Sequence, residues 1–231
     1  MTGRDDRVAK PHATFSGGEG PRELPFGFPN ALSHAHGTQR RWGASLEDWH
    51  HCSDTLGLTS DLLPVVSNQL AVTSPMSSLK GLGKTPSRYN TDRQVVGIRG
   101  WTEHVANAAD VEAWSKEPDY GICIQTRRYR GLDIDIDDHG KALEVAFSVI
   151  RFFGLSAAKV SVRFRANSGR LLIPFNMKGA LRKSIIKTPY GAIEFLADGQ
   201  QFIAAGTHSS GYRYEWTALE DLLDLRRGLR Q

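Results

Sequence analysis

The stretch Gly131-Leu132-Asp133-Ile134-Asp135-Ile136-Asp137-Asp138 alternates apolar and acidic residues with a period of two. A helix would scatter these side chains around its axis. A strand sorts them, with Leu132, Ile134 and Ile136 toward a core and the aspartates on the other face. Asp133 and Asp135 then point the same way, and neighbouring like charges on one sheet face cost energy. A divalent cation with oxygen ligands would compensate them. The motif by itself fits equally well an acidic strand end that runs into a solvated turn at Asp137-Asp138-His139-Gly140.

The elements around this strand predict an α+β fold. Tyr120 to Gln125 reads as a strand before it. Lys141 to Phe153 reads as a helix after it, with Leu143, Ala146, Phe147, Ile150 and Phe153 at helical spacing and Gly154 as its stop. Strands are then expected over 160–165, 170–175, 192–196, 201–205 and 211–216, with a hairpin turn at Asn167-Ser168-Gly169 and another turn at Asp198-Gly199. A short helix is expected over 110–117, with Val111, Ala113 and Trp114 inward, and a last one over 218–227. One or two strands are expected within 62–72. Hairpins after a strand–helix unit argue for a mixed, largely antiparallel sheet with flanking helices.

The chain has 231 residues, enough for one large domain. Residues 1–40 are rich in Gly, Pro, His and Ser and read as a flexible lead-in to a domain over 41–231. His34, His36, His50, His51 and Cys52 are read as scattered residues rather than a metal site. Two cysteines, Cys52 and Cys123, make no disulfide framework and no zinc motif, which predicts a reduced, cytoplasmic protein. No run of 18 apolar residues exists, so neither a membrane span nor a secretory leader is expected. Gly83-Lys84-Thr85 looks like the end of a P-loop. Ser78 stands where its first glycine belongs and Pro86 removes a needed donor, which excludes an ATPase but leaves a phosphate-touching turn.

Two further features surround the aspartates. Glu194 lies inside the apolar run Ile193-Glu194-Phe195 and needs a cation, either a metal ion or a basic side chain. Between Arg151 and Lys187 there are nine Lys or Arg residues and no Asp or Glu, although the whole chain carries a net charge of only +4. Carboxylates that fix metal beside arginines that grip phosphate oxygens are what metal-assisted phosphoryl transfer requires. A solvated basic face accounts for Lys178 to Lys187 but less well for Arg163, Arg165 and Arg170, which flank one predicted turn.

Over about residues 60–217 the chain resembles the archaeo-eukaryotic primase superfamily, specifically its primase-polymerase (prim-pol) group common in phages and plasmids. Leu132-Asp133-Ile134-Asp135 resembles the acidic D-h-D strand, Ser168-Gly169-Arg170 the S-x-H hairpin, and Ile193-Glu194 the h-D/E strand. Gly206-Thr207-His208-Ser209-Ser210-Gly211 through Tyr214-Glu215-Trp216 resembles the tail that follows, and Gly83-Lys84-Thr85-Pro86 with Trp101 the upstream segment. The resemblance implies a sheet of the RNA-recognition-motif kind and a template-directed primase or polymerase. Asp133, Asp135 and Glu194 would be catalytic and hold two Mg²⁺ or Mn²⁺ ions. Ser168, Arg170, Arg163, Arg165, His208 and Lys84 would bind the dNTP or NTP. Lys178, Arg182, Lys183 and Lys187 would track single-stranded or primed DNA, with Tyr129, Tyr212 and Trp216 as stacking residues or, for Trp216, core. Arg170 stands where the family usually has His; a permanent cation can still bind phosphate. Lacking a helicase or zinc-ligand segment, the chain is expected to be a lone catalytic core or a piece of, or partner to, a larger replication protein, and priming would require a helicase.

Two other classes use the same residues. A metal-dependent nuclease would direct the carboxylates at a phosphodiester. His34-Ala35-His36 has the form of a rolling-circle metal pair but lacks a tyrosine helix. A non-catalytic nucleic-acid-binding module would keep the basic face and be indifferent to Asp133→Ala.

Overall fold

The computed structural model describes residues 42–228. The lead-in assigned to 1–40, with His34 and His36, lies outside the described residues. Four helices are α1 (Leu46–His50), α2 (Ala108–Ser115), α3 (His139–Phe152) and α4 (Leu219–Gly228). Eleven strands are β1 (Leu62–Val66), β2 (Ser87–Tyr89), β3 (Val95–Gly97), β4 (Tyr120–Gln125), β5 (Tyr129–Ile136), β6 (Ser161–Arg165), β7 (Ser168–Asn176), β8 (Ser184–Thr188), β9 (Gly191–Leu196), β10 (Gln201–Ala205) and β11 (Glu215–Ala218).

The strands form three antiparallel sheets rather than one. The largest has six strands in the order β11-β6-β7-β5-β9-β8; a smaller one has the order β1-β4-β10, and β2 pairs with β3. The acidic strand is therefore central in the large sheet. Its alternation is realised: Ile134 and Ile136 are fully buried on the back face. There they meet Ala142, Leu143, Ala146 and Ile150 of α3 and Leu219 and Leu222 of α4. Asp138 caps α3 by accepting a hydrogen bond from Lys141 N at 2.8 Å, and Gly154, at φ +65°, ends it.

The front face of the large sheet is half covered. Leu172, Leu196 and Trp216 pack against Ile122, Ile124, Phe202 and Ala204 of the small sheet and against Trp49 of α1. The outer face of the small sheet packs Leu63, Val65, Cys123 and Ile203 under Trp101 and Tyr214. β4 is thus buried on both sides.

Several expectations are corrected. The strands at Ala192–Leu196 and Gln201–Ala205 do exist but belong to different sheets; the turn at Asp198-Gly199 crosses from one to the other. Arg130 pins that crossing, 2.5 Å from Asp198 Oδ1 and bonded to the carbonyls of Thr126 and Gly179. β8 has no counterpart among the expected strands, because Ser184-Ile185-Ile186-Lys187-Thr188 is largely exposed and shows no period-two alternation. The last strand starts at Glu215, not at Gly211. The one or two strands expected within 62–72 are realised as one, Leu62–Val66. Ala113 and Phe153 are exposed, and Ser115 takes the inner place on α2. The β6–β7 turn is Ala166-Asn167, since Arg165 already pairs with Ser168. Gly169 serves a close approach instead: a Cβ there would lie 2.1 Å from Asp137 O.

Candidate active site

Strand register builds the site. Asp133 stands opposite Leu172 of β7 and, on the other side, opposite Glu194 of β9. The row extends to Arg163 on β6 and Ile185 on β8. Cross-strand partners share a face, so Arg163, Leu172, Asp133, Glu194 and Ile185 cross the front of the sheet in line. Asp135, two residues along, lies on the same face. Beside the covered half of that face is a cleft of about 340 Å³. It gathers Lys84, Asp133, Asp135, Arg163, Arg165, Arg170, Lys183, Glu194 and His208, so nine of the residues expected from sequence meet there.

Two long-range loops complete it. Gly83, at φ +71°, donates its N–H to Val66 O at 2.9 Å, and Gln201 Nε2 donates to Lys84 O at 2.6 Å; together they hold Lys84 at the rim. The 206–214 loop brings His208, whose N–H donates to Tyr212 O at 2.9 Å. Its Nδ1 accepts from Arg165 Nη1 at 2.5 Å and from Ser210 N at 3.1 Å. A ring nitrogen that accepts two N–H groups carries no proton, so the imidazole proton sits on Nε2. Burial, then the charges of Arg165, Lys84, Arg163 and Arg170, pull the His208 pKa down to about 4.

The carboxylates are held by basic neighbours. Arg170 Nε lies 2.8 Å from Asp135 Oδ1 but donates to Asp137 Oδ1 at 2.9 Å. Asp135 Oδ1 is consequently buried and near a cation, yet accepts no hydrogen bond. Lys183 Nζ lies 2.6 Å from Glu194 Oε2. Burial raises the pKa of Asp133, and Asp135 and Glu194 raise it further, against the lowering effect of Arg163 and Arg170. Among the described residues no group of three or more His, Cys, Asp or Glu side chains is disposed to hold a metal ion as it stands. The donor set nevertheless suits a hard cation, with all-oxygen ligands, the desolvated carboxylate of Asp133 and an Asp135 oxygen that accepts no hydrogen bond. Binding would require Arg170 and Lys183 to release Asp135 and Glu194.

Arg163 and Arg165 are in no ion pair among the described residues. Arg163 donates to Ile203 O at 2.5 Å, and both guanidinium groups lie over the Tyr214 ring, 4.6 and 5.7 Å from its centroid. Tyr214 and Asp137 belong to the sequence motifs but not to the site residues expected from them. Period-two spacing from Trp216 was the available signal for Tyr214.

The remaining expected residues fall outside the cleft. Ser168 sits at its edge, its Oγ accepting from Arg165 Nη2 at 3.4 Å and Arg170 N at 3.3 Å. Lys178 and Arg182 are exposed in the loop before β8, and Lys187 is exposed on β8. Trp216 is core, 7% exposed, with Nε1 bonded to Ala204 O at 2.8 Å. Tyr129 packs on the same core, and Tyr212 is exposed on the 206–214 loop. A hollow of about 510 Å³ behind the sheet, between α3 and α4, contains none of the expected residues. No helix among the described residues is long and apolar enough to cross a membrane.

The family model for bifunctional DNA primase/polymerase, N-terminal (Prim-Pol), matches residues 61–226, from the residue before β1 into α4. No curated protein and no solved structure matches the chain.

Proposed function

The chain belongs to the Prim-Pol family of bifunctional DNA primase/polymerase N-terminal domains, and from that premise we propose that the cleft extends a nucleic-acid 3′ end on a DNA template. The observation that carries this reading is the in-register pair Asp133 and Glu194, with Asp135 beside them, facing Arg163, Arg165, Arg170, Lys84 and His208 across one cleft. The 3′-oxygen bonds to the α-phosphorus of a dNTP or NTP, the α–β anhydride breaks, pyrophosphate leaves, and the hydroxyl proton passes to solvent.

Asp133, Asp135 and Glu194 would hold two Mg²⁺ or Mn²⁺ ions, which lower the pKa of the attacking hydroxyl and neutralise the leaving pyrophosphate. Arg163 and Arg165, in no ion pair among the described residues, present guanidinium forks to phosphate oxygens. Lys84 adds charge at the rim, and His208 donates from Nε2. Arg170, once released by Asp135, is placed to follow the triphosphate, and Lys183, once released by Glu194, is placed to meet a nucleic-acid backbone phosphate. Lys178, Arg182 and Lys187 contact nucleic-acid backbone phosphates without reading sequence. A helicase, in trans or in a longer chain, is the partner that de novo priming would require.

Primer extension on a single-stranded template tests this, with dNTPs or NTPs, Mg²⁺ or Mn²⁺, and wild type beside Asp135→Ala. Template-matched products lost in the variant are expected, and the sugar preference follows from which nucleotides support them. Shortened substrate lost in the variant would make the site a nuclease; no product with salt-sensitive binding intact would make the domain a binding module.

A further inference from the structure

The cleft is electrically lopsided. Crossing the front face from β6, the row reads Arg163, Leu172, Asp133, Glu194, Ile185. Arg163, Arg165, Arg170, Lys84 and His208 all lie on the β6–β7 side of the carboxylates or on the loops that close over that side. A triphosphate concentrates several charges at one point and needs such a cluster. On the other side the character changes. Ile185 and Lys187 alternate along β8, which puts both on the front face about 7 Å apart, and Lys183, just before the strand, reaches the same face at Glu194. Between this strand and Asp135 stands only Ala192, which pairs with both Asp135 and Lys187. Along this row the way from Asp135 to the sheet edge crosses only the small side chain of Ala192.

β8 is the edge strand, and its apolar exposure is unusual for one: Ile185 is 50% exposed and Ile186 62%. Edge strands are ordinarily protected by charged side chains, Pro, bulges or a covering element. Here the charge is on the front, where Lys187 makes no ion pair among the described residues. Spaced cations with an apolar side chain between them match a nucleic-acid strand, which carries one charge per nucleotide and apolar base faces.

We infer that the front of β8, formed by Ile185 and Lys187 with Lys183, is the docking track for the primer strand, so that the 3′ end reaches Asp133 and Glu194 from the β8 side while the triphosphate enters from the β6–β7 side. This inference rests on the nucleotidyl-transfer reading for the identity of the strand's end. It adds the direction of approach and an apolar contact that a purely electrostatic track would lack.

The opposite face of the same strand supplies the control. Ile186 pairs with Ile193 and points to the side that α3 covers. Ile185→Asp and Ile186→Asp therefore disturb one edge strand equally but change different faces. Binding of a fluorescent primer–template is measured by anisotropy across a salt series, and triphosphate binding is measured separately without DNA. Ile185→Asp and Lys187→Ala are each expected to weaken primer–template binding about five- to tenfold, Lys187→Ala with a shallower salt slope. Both should leave triphosphate affinity unchanged, and Ile186→Asp should leave both affinities within about twofold. Equal losses for Ile185→Asp and Ile186→Asp, or none for either, would overturn the track. Because these are binding measurements, they stand whether or not primer extension succeeds: absent extension would sink the catalytic reading, and face-independent binding would sink this one.

Discussion

Arg165 Nη1 lies 2.5 Å from His208 Nδ1, joining a β6 side chain to a loop 43 residues away at the mouth of the cleft. The contact is possible only while His208 is neutral, because a protonated Nδ1 would face the guanidinium as a second cation. The His208 pKa of about 4 states the same constraint. With a folded value below the ordinary 6.5, this histidine stabilises the fold fully above pH 6.5 and loses that contribution as pH falls toward 4. His208 should show no titration by NMR between pH 8 and 5. Wild type should lose about 1 kcal/mol more stability than His208→Gln over pH 7 to 4, a figure reduced for solvent screening. A His208 resonance that titrates near 6.5 would contradict the pairing.

Asp133 is expected to trade stability for activity. Its carboxylate is desolvated and sits opposite Glu194, so ionisation costs the fold energy at neutral pH. The raised pKa gives the sign: this penalty is absent below about pH 4 and appears as pH rises through the folded value. Asp133→Asn should stabilise the fold at pH 7 in chelator by roughly 1 kcal/mol, seen as a higher melting temperature, while reducing extension at least a thousandfold. Millimolar Mg²⁺ or Mn²⁺ should stabilise wild type and not the variant. Calorimetry with and without metal checks both.

The parts legible in the sequence are those where one element faces one environment. β5 shows its alternation because α3 covers one side and the cleft opens on the other. α3 shows Leu143, Ala146 and Ile150 because a single sheet lies beneath it. What stayed hidden is set by distant contacts. Nothing local distinguishes a turn within one sheet from the Asp198-Gly199 crossing between two, which depends on Arg130. Lys84 and His208 were chosen by resemblance, but their meeting is decided by Gln201 and Arg165. β8 was invisible because edge strands with solvated faces carry no burial pattern. Tyr214 is legible as part of the tail motif but not as a site residue, because an aromatic supporting two arginines looks, in sequence, like any core aromatic.

Gly169 and Gly199 separate close approach from backbone freedom. A Cβ at Gly169 would meet Asp137 O at 2.1 Å, a backbone atom at the end of the catalytic strand that cannot move aside. Gly199 has φ +73° but open space around it. Gly169→Ala should cost about 3 kcal/mol and remove extension activity through displaced Arg170, and Gly199→Ala about 1 kcal/mol with activity kept. Denaturant midpoints and extension rates distinguish the two.

Trp216 is expected to act on stability, not on nucleic-acid binding. Its ring fills the core between the sheets and its indole N–H is bonded to Ala204 O. Trp216→Ala should cost about 3–5 kcal/mol. Trp216→Phe, which retains most of the volume but orphans the Ala204 carbonyl, should cost about 1–2 kcal/mol and leave primer–template affinity unchanged.

Arg170→His tests how the site handles its own charge. Arg170 lies within ion-pair distance of both Asp135 and Asp137, and its hydrogen bond holds the Asp137 carboxyl below its ordinary pKa. As a permanent cation it competes with any divalent ion for Asp135. Histidine, neutral for most of the range above pH 7, competes less and is shorter, so it leaves Asp135 Oδ1 open. The variant should therefore reach half-maximal extension at a several-fold lower Mg²⁺ concentration than wild type. Its KM for the triphosphate should rise, because the cation that Asp135 releases onto the phosphates has gone. A titration of metal at saturating nucleotide, followed by nucleotide at saturating metal, separates the two effects. Equal metal requirements in the two proteins would mean that Arg170 does not guard the carboxylates.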